Sequence, residues 1–107
     1  WQGCKIWNAV EVKNSCFWNN SNAAHLSYIW DSIIWNNVNL AWWFISANIR
    51  HDNKNNRVMV KEELIDSGKR KLWAIIWDNV KTWANTTVMP ARIIDTWSMT
   101  MPWEIIK

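Results

Sequence analysis

From Ala23 onward the apolar residues recur at three- and four-residue spacing, which is the signature of one helix face. Leu26, Ile29, Trp30, Ile33 and Ile34 form the first such face, and Asn36, Asn37 and Asn39 then weaken it by competing for backbone hydrogen bonds. Leu40, Ala41, Phe44, Ile45 and Ile49 make a second face, followed by a polar break over residues 51–56. Val58, Met59, Leu64 and Ile65 suit a shorter third helix that Ser67-Gly68 stops. The clearest helix spans residues 69–84, with Leu72, Trp73, Ile75, Ile76, Trp77, Val80 and Trp83 on a broad apolar face. Thr86 or Thr87 caps the next segment, Pro90 sits in its first turn, and Ile93, Ile94 and Trp97 continue it. Pro102 opens a short terminal helix carrying Trp103, Ile105 and Ile106.

This pattern predicts an all-α domain, a compact antiparallel bundle of five or six helices over residues 23–107, with no internal repeat. Residues 1–22 read as an N-terminal extension. In it Ile6, Trp7, Val10 and Val12 fit either a helix or a strand, and residues 14–22 look loop-like. Trp42, Trp73 and Trp77 lie on apolar helix faces and are expected in the core.

Composition supports a globular chain: of 107 residues, 50% are hydrophobic and 20% charged. The apolar runs, such as residues 41–49, are too short to cross a bilayer, so no membrane span is expected. No basic-then-apolar signal opens the chain and Met is absent from position 1, so Trp1 reads as a processed end, a fragment end or an artificial boundary. The compartment stays open. Twelve Trp stand beside only 2 Gly and 2 Pro. Leu is confined to Leu26, Leu40, Leu64 and Leu72. That balance also fits an artificial helical domain without evolved activity.

A net charge of +3 is too small to announce a nucleic-acid partner. Basic residues thicken between Arg50 and Lys71, but Asp52, Glu62, Glu63 and Asp66 interrupt them, as on a mixed solvated surface. Tryptophan beside that patch offers stacking for single-stranded bases, which leaves a weak nucleic-acid binder as a further reading.

Candidate chemistry is sparse. Cys4, Cys16, His25 and His51 are the soft metal ligands, and their spacing fits no compact zinc pattern. Two cysteines leave a Cys4–Cys16 disulfide undecided, and a Cys–His nucleophilic pair has no support from spacing. Gly68-Lys69 lacks the earlier glycine and the following Ser or Thr of a phosphate loop.

The region 51–63 approaches a calcium-binding EF-hand loop in two registers. From His51, the residues Asn53, Asn55, Asn56, Val58 and Glu62 fall at the required places, but His51 stands where Asp should. From Asp52 to Glu63, Lys54 takes a ligand position and Arg57 the tight turn. A polar connection is the better account of this segment. Asn19-Asn20-Ser21 and Asn85-Thr86-Thr87 match the glycosylation pattern, which in a chain this rich in Asn fixes nothing. No catalytic, cofactor-binding or metal-binding residue is therefore assigned, and no cofactor is expected.

Over residues 23–107 the chain resembles the death domains of signalling adaptors. The segment from Ile34 to Trp42 is similar to that family's junction between helices one and two, with Ile45 and Ile49 as the following apolar pair. Leu72 to Trp77 looks like its fourth helix, Asn85-Thr86-Thr87-Val88 like the start of its fifth, and Met101 to Ile106 like its sixth. The resemblance implies a non-enzymatic protein–protein interaction module, binding a protein partner or a second copy of itself.

Overall fold

Inward-facing residues along the chain step by two within a strand and by three or four between strands. Ser27 and Ile29, Ser32 and Ile34, Val38 and Leu40, and Phe44 and Ser46 are all buried, as are Val80 and Thr82, and Thr86 and Val88. A two-residue step keeps both side chains on one face of a strand. A four-residue step carries the chain around a corner. In the computed structural model, which describes residues 2–107, this alternation winds the chain into a three-faced β-solenoid, and no described residue is helical.

The first circuit holds Lys5–Ile6 (β1), Val10–Lys13 (β2) and Cys16–Phe17 (β3). The second holds Asn22–Ala23 (β4), Ser27–Trp30 (β5) and Ile33–Ile34 (β6). The third begins with Asn39–Leu40 (β7) and Ile45–Ser46 (β8). An excursion then carries Arg57–Val60 (β9) and Glu63–Asp66 (β10) as an antiparallel hairpin. Ala74–Ile76 (β11) closes the third circuit, Thr87–Val88 (β12) and Arg92–Ile94 (β13) belong to the fourth, and Ile105–Ile106 (β14) to the fifth.

Each face is a parallel sheet of strands from successive circuits. The first face stacks β1, β4 and β7, continued by single bridges at Lys81 and Met99. The second stacks β2, β5, β8, β12 and β14, and the third stacks β3, β6, β11 and β13. One circuit takes 17 residues where Cys16 pairs with Ile33, but 42 where Ile33 pairs with Ile75 across the excursion. It takes 18 where Ile75 pairs with Ile93. The chain therefore does carry an internal repeat, contrary to expectation.

The core is a set of columns along the solenoid axis. Phe17, Ile34, Ile76 and Ile94 are register partners on the third face, and all four are buried. Hydroxyls at the inner corners tie adjacent circuits together. Ser21 Oγ accepts from the Val38 amide at 3.1 Å, Thr82 Oγ1 from Ala41 at 3.0 Å, and Thr100 Oγ1 from Trp83 at 2.9 Å. Buried hydroxyls are stable there because each has a partner.

The all-α bundle and the death-domain resemblance are overturned by this architecture. The segment Ile34 to Trp42 is the end of β6, a corner and β7, while Leu72 to Trp77 contains strand β11. Asn85 to Val88 and Met101 to Ile106 are each a corner followed by a short strand. The four-residue steps Ile34–Val38, Leu40–Phe44 and Ile76–Val80 imitate a helix face. The intervening two-residue steps would land about 200° away on a helix of 3.6 residues per turn, and they decide against it. Of the tryptophans expected in the core, Trp73 is buried, Trp77 is half-buried, and Trp42 is 46% exposed.

Candidate functional site

The excursion over residues 47–73 leaves the solenoid at the corner between the second and third faces. Its hairpin turns at Lys61 and Glu62, both at positive φ (45° and 68°), as a tight two-residue turn between twisted strands requires. The expected third helix at Val58, Met59, Leu64 and Ile65 is this hairpin. The two ends of the excursion are fastened by Asn56, which is 1% exposed. Its Nδ2 donates toward the carbonyls of Asn48 at 3.1 Å, Arg70 at 2.9 Å and Leu72 at 3.2 Å. Its backbone amide donates to Lys69 at 2.8 Å, and its carbonyl accepts from Ser67 at 3.0 Å.

Between the excursion and the fourth circuit lies a cleft of about 680 Å³. The excursion supplies Ala47, Ile49, Arg50, His51, Asp52, Asn56, Arg57 and Leu64, and the solenoid supplies Met89, Pro90, Arg92 and Lys107. Arg50 and Arg57 also border a second, smaller cleft of about 370 Å³ with Lys54, Asp66 and Arg70.

The electrostatics of the main cleft are positive. Arg50 grips Asp52 through two bonds, Nε to Oδ1 at 3.0 Å and Nη2 to Oδ2 at 2.7 Å. The Lys54 amide adds a third at 3.1 Å. The Arg50 hydrogen bonds, with the Lys54 amide behind them, hold the Asp52 carboxyl well below the usual carboxylate range, and the Arg50 guanidinium is raised in turn. Among the described residues this is the one ion pair. Arg57, Arg92 and Lys107 thus face the cleft without a carboxylate partner. Asn56 Oδ1 is shielded from solvent and has no hydrogen-bond partner. Apolar walls with a few convergent polar groups are the ordinary make-up of a small-molecule site.

The residues singled out from the sequence are dispersed by the fold. His51 lies in the cleft, whereas His25 is exposed at the corner between the first and second faces. Cys4 and Cys16 are not bonded to each other. Among the described residues no three His, Cys, Asp or Glu side chains gather as metal ligands. The EF-hand positions fall on the excursion's first turn and on both strands and the turn of the hairpin. The basic stretch after Arg50 is visible in the sequence, whereas Arg92 joins it only from a different circuit. Recognising the repeat and its break after Ser46 is the signal that finds the pair.

The chain has relatives among curated proteins. It is 39% identical over 103 residues to the bifunctional sugar-1-phosphate nucleotidylyltransferase/acetyltransferase of Sulfurisphaera tokodaii, which covers 96% of this chain and 26% of that protein. It is 47% identical over 85 residues to the bifunctional protein GlmU of Methanococcus aeolicus, covering 79% of the chain and 20% of the relative. The GlmU of Methanocaldococcus jannaschii is 42% identical over 85 residues. The chain is similar to a segment of these enzymes. It spans about a quarter or less of their length. No family model matches it.

Likeness to natural enzymes over most of the chain overturns the non-enzymatic adaptor reading, and with it the artificial-domain reading. No helix is long and apolar enough to cross a membrane.

Proposed function

We propose that this chain forms the acetyl-transferring portion of a larger enzyme, moving an acetyl group from a thioester donor to an amine or hydroxyl of a sugar phosphate. The observation that carries the reading is the convergence of His51, Arg57, Arg92 and Asn56 on one cleft. Of the two activities in the name of the Sulfurisphaera tokodaii relative, acetyl transfer is the one this set suits. It needs a base for the incoming nucleophile and cations for the phosphates of substrate and carrier.

In this mechanism Arg57 and Arg92 hold phosphate oxygens by charge-assisted hydrogen bonds. His51 accepts the proton of the attacking amine or hydroxyl as a new C–N or C–O bond forms at the acetyl carbonyl. The C–S bond then breaks and the proton passes from His51 to the departing thiolate, leaving a free thiol. Asp52 has a different task, since it neutralises Arg50 and is held ionised by it.

The test is release of free thiol from acetyl-coenzyme A in the presence of an amino sugar phosphate. His51→Gln should lower turnover on the order of 10²–10⁴-fold, as loss of a general base does. Arg57→Gln and Arg92→Gln should chiefly weaken binding. Full activity in His51→Gln would remove His51 from the chemistry.

The second part of the proposal is self-association. Ile33, Ile75 and Ile93 are register partners pointing out of the third face, an apolar stripe suited to a second copy of the chain. Sedimentation of the chain over a concentration range tests it, and Ile75→Lys should shift the species toward monomer.

A further inference from the structure

Tryptophan stands in this fold where the backbone is shaped for glycine. The solenoid corners place a residue at positive φ every six positions, seen in Asn79, Asn85, Ala91, Trp97 and Trp103 at 63°, 61°, 57°, 66° and 63°. Gly3 (71°) and Asn37 (57°) hold equivalent corners, as does Trp43 (57°). Glycine takes this conformation freely and Asn tolerates it, whereas a bulky side chain there is an outlier. Trp97 and Trp103 are 71% and 73% exposed, so packing does not offset their strain.

A second position shows the same misfit. The residue directly after an inner-column position is Trp7, Trp18, Trp30, Trp35, Trp77 or Trp83 at some corners, Ala24, Ala41 or Ala47 at others, and Met89, Asp95 or Met101 at the rest. One slot thus holds nearly the smallest side chain and the largest. The indole N–H groups of Trp30, Trp35 and Trp73 are shielded from solvent with no acceptor, although a buried indole ordinarily finds one. The tryptophans are also spread over all three corners, which a binding surface would not require. Finally the chain has 12 Trp and 2 Gly, where glycine averages about 7% of residues and corners demand it.

We infer that the cells making this protein insert glycine, not tryptophan, at these corner positions, through a codon that one translation system reads as tryptophan and theirs reads as glycine. A single decoding difference explains strained corners, a slot of mismatched sizes, orphaned indoles and the missing glycine together. The glycine chain keeps the solenoid, the hairpin and the cleft, whose lining contains no tryptophan.

Mass-spectrometric peptide sequencing of the protein from its own cells reads the residues directly. Glycine at positions 43, 97 and 103 is the expected result, and tryptophan at 97 or 103 overturns the inference. Two synthetic chains give a physical check: the one carrying Trp97→Gly and Trp103→Gly should melt at a higher temperature than the tryptophan chain. An equal or lower melting temperature would count against glycine-shaped corners.

Discussion

Asn36 and Asp78 lie 42 residues apart in sequence, yet the Asp78 carboxylate accepts both the backbone amide of Asn36 at 2.8 Å and its side-chain Nδ2 at 3.0 Å. The same corner one circuit earlier repeats the motif, with Asn36 Oδ1 accepting from the Asn19 amide at 3.1 Å. A ladder of side-chain acceptors thus runs up this corner. The ladder crosses from the second circuit to the third as if the excursion between them were absent.

Asp78→Ala should therefore destabilise the chain by about 1–3 kcal/mol, because two donors of Asn36 lose their acceptor. Urea unfolding measures this. Asp78→Asn should recover part of the loss, since an amide oxygen accepts both bonds without the charge.

Asn56 is the fastening of the excursion, so Asn56→Ala should loosen residues 48–72 before the solenoid. The three carbonyls it holds are left to find water. Hydrogen exchange should speed up at Ser67 and in the hairpin while the amides of Ile34 and Ile76 stay protected. Equal acceleration everywhere would contradict a local role.

Ile76 sits mid-column between Ile34 and Ile94 and is fully buried. Ile76→Ala should cost about 2–5 kcal/mol in chemical denaturation, as truncations in close-packed cores do. Ile75, one residue earlier and facing out, should cost far less.

The pH behaviour of the cleft follows from the Arg50–Asp52 pair. Asp52 is depressed in the folded chain, so its contribution is complete above the ordinary carboxylate range. It is lost only as the pH falls through the lower folded value. The Asp52 carboxyl should thus stay ionised through mild acid, and its resonance should titrate below the ordinary carboxylate range. Arg50→Gln should return it toward the ordinary range.

Part of this molecule was legible from its residues. Ile29, Ile34, Leu40, Phe44, Ile76 and Val80 were recognised as core-forming and are buried. Their connection is ambiguous in the sequence because steps of four residues serve both a helix and a corner. The neighbours Leu26, Ile33 and Ile75, which complete a helix face on paper, lie at a corner or point outward here. Corners were hidden too: glycine marks such turns in a sequence, and here Trp, Ala and Asn stand in most of them. The cleft was the least legible, since it joins Arg57 to Arg92 through stacking that no local pattern announces.

The register across the excursion has a bearing on how such a chain could change. Because Ile34 meets Ile76 as squarely as Phe17 meets Ile34, residues between Ser46 and Ala74 are free to lengthen, shorten or be exchanged without moving a strand of the three stacked faces. A version with that segment cut to a plain corner should keep its stacked scaffold and lose its pocket. New specificities could then be grafted at one address while the spine that carries them is inherited intact.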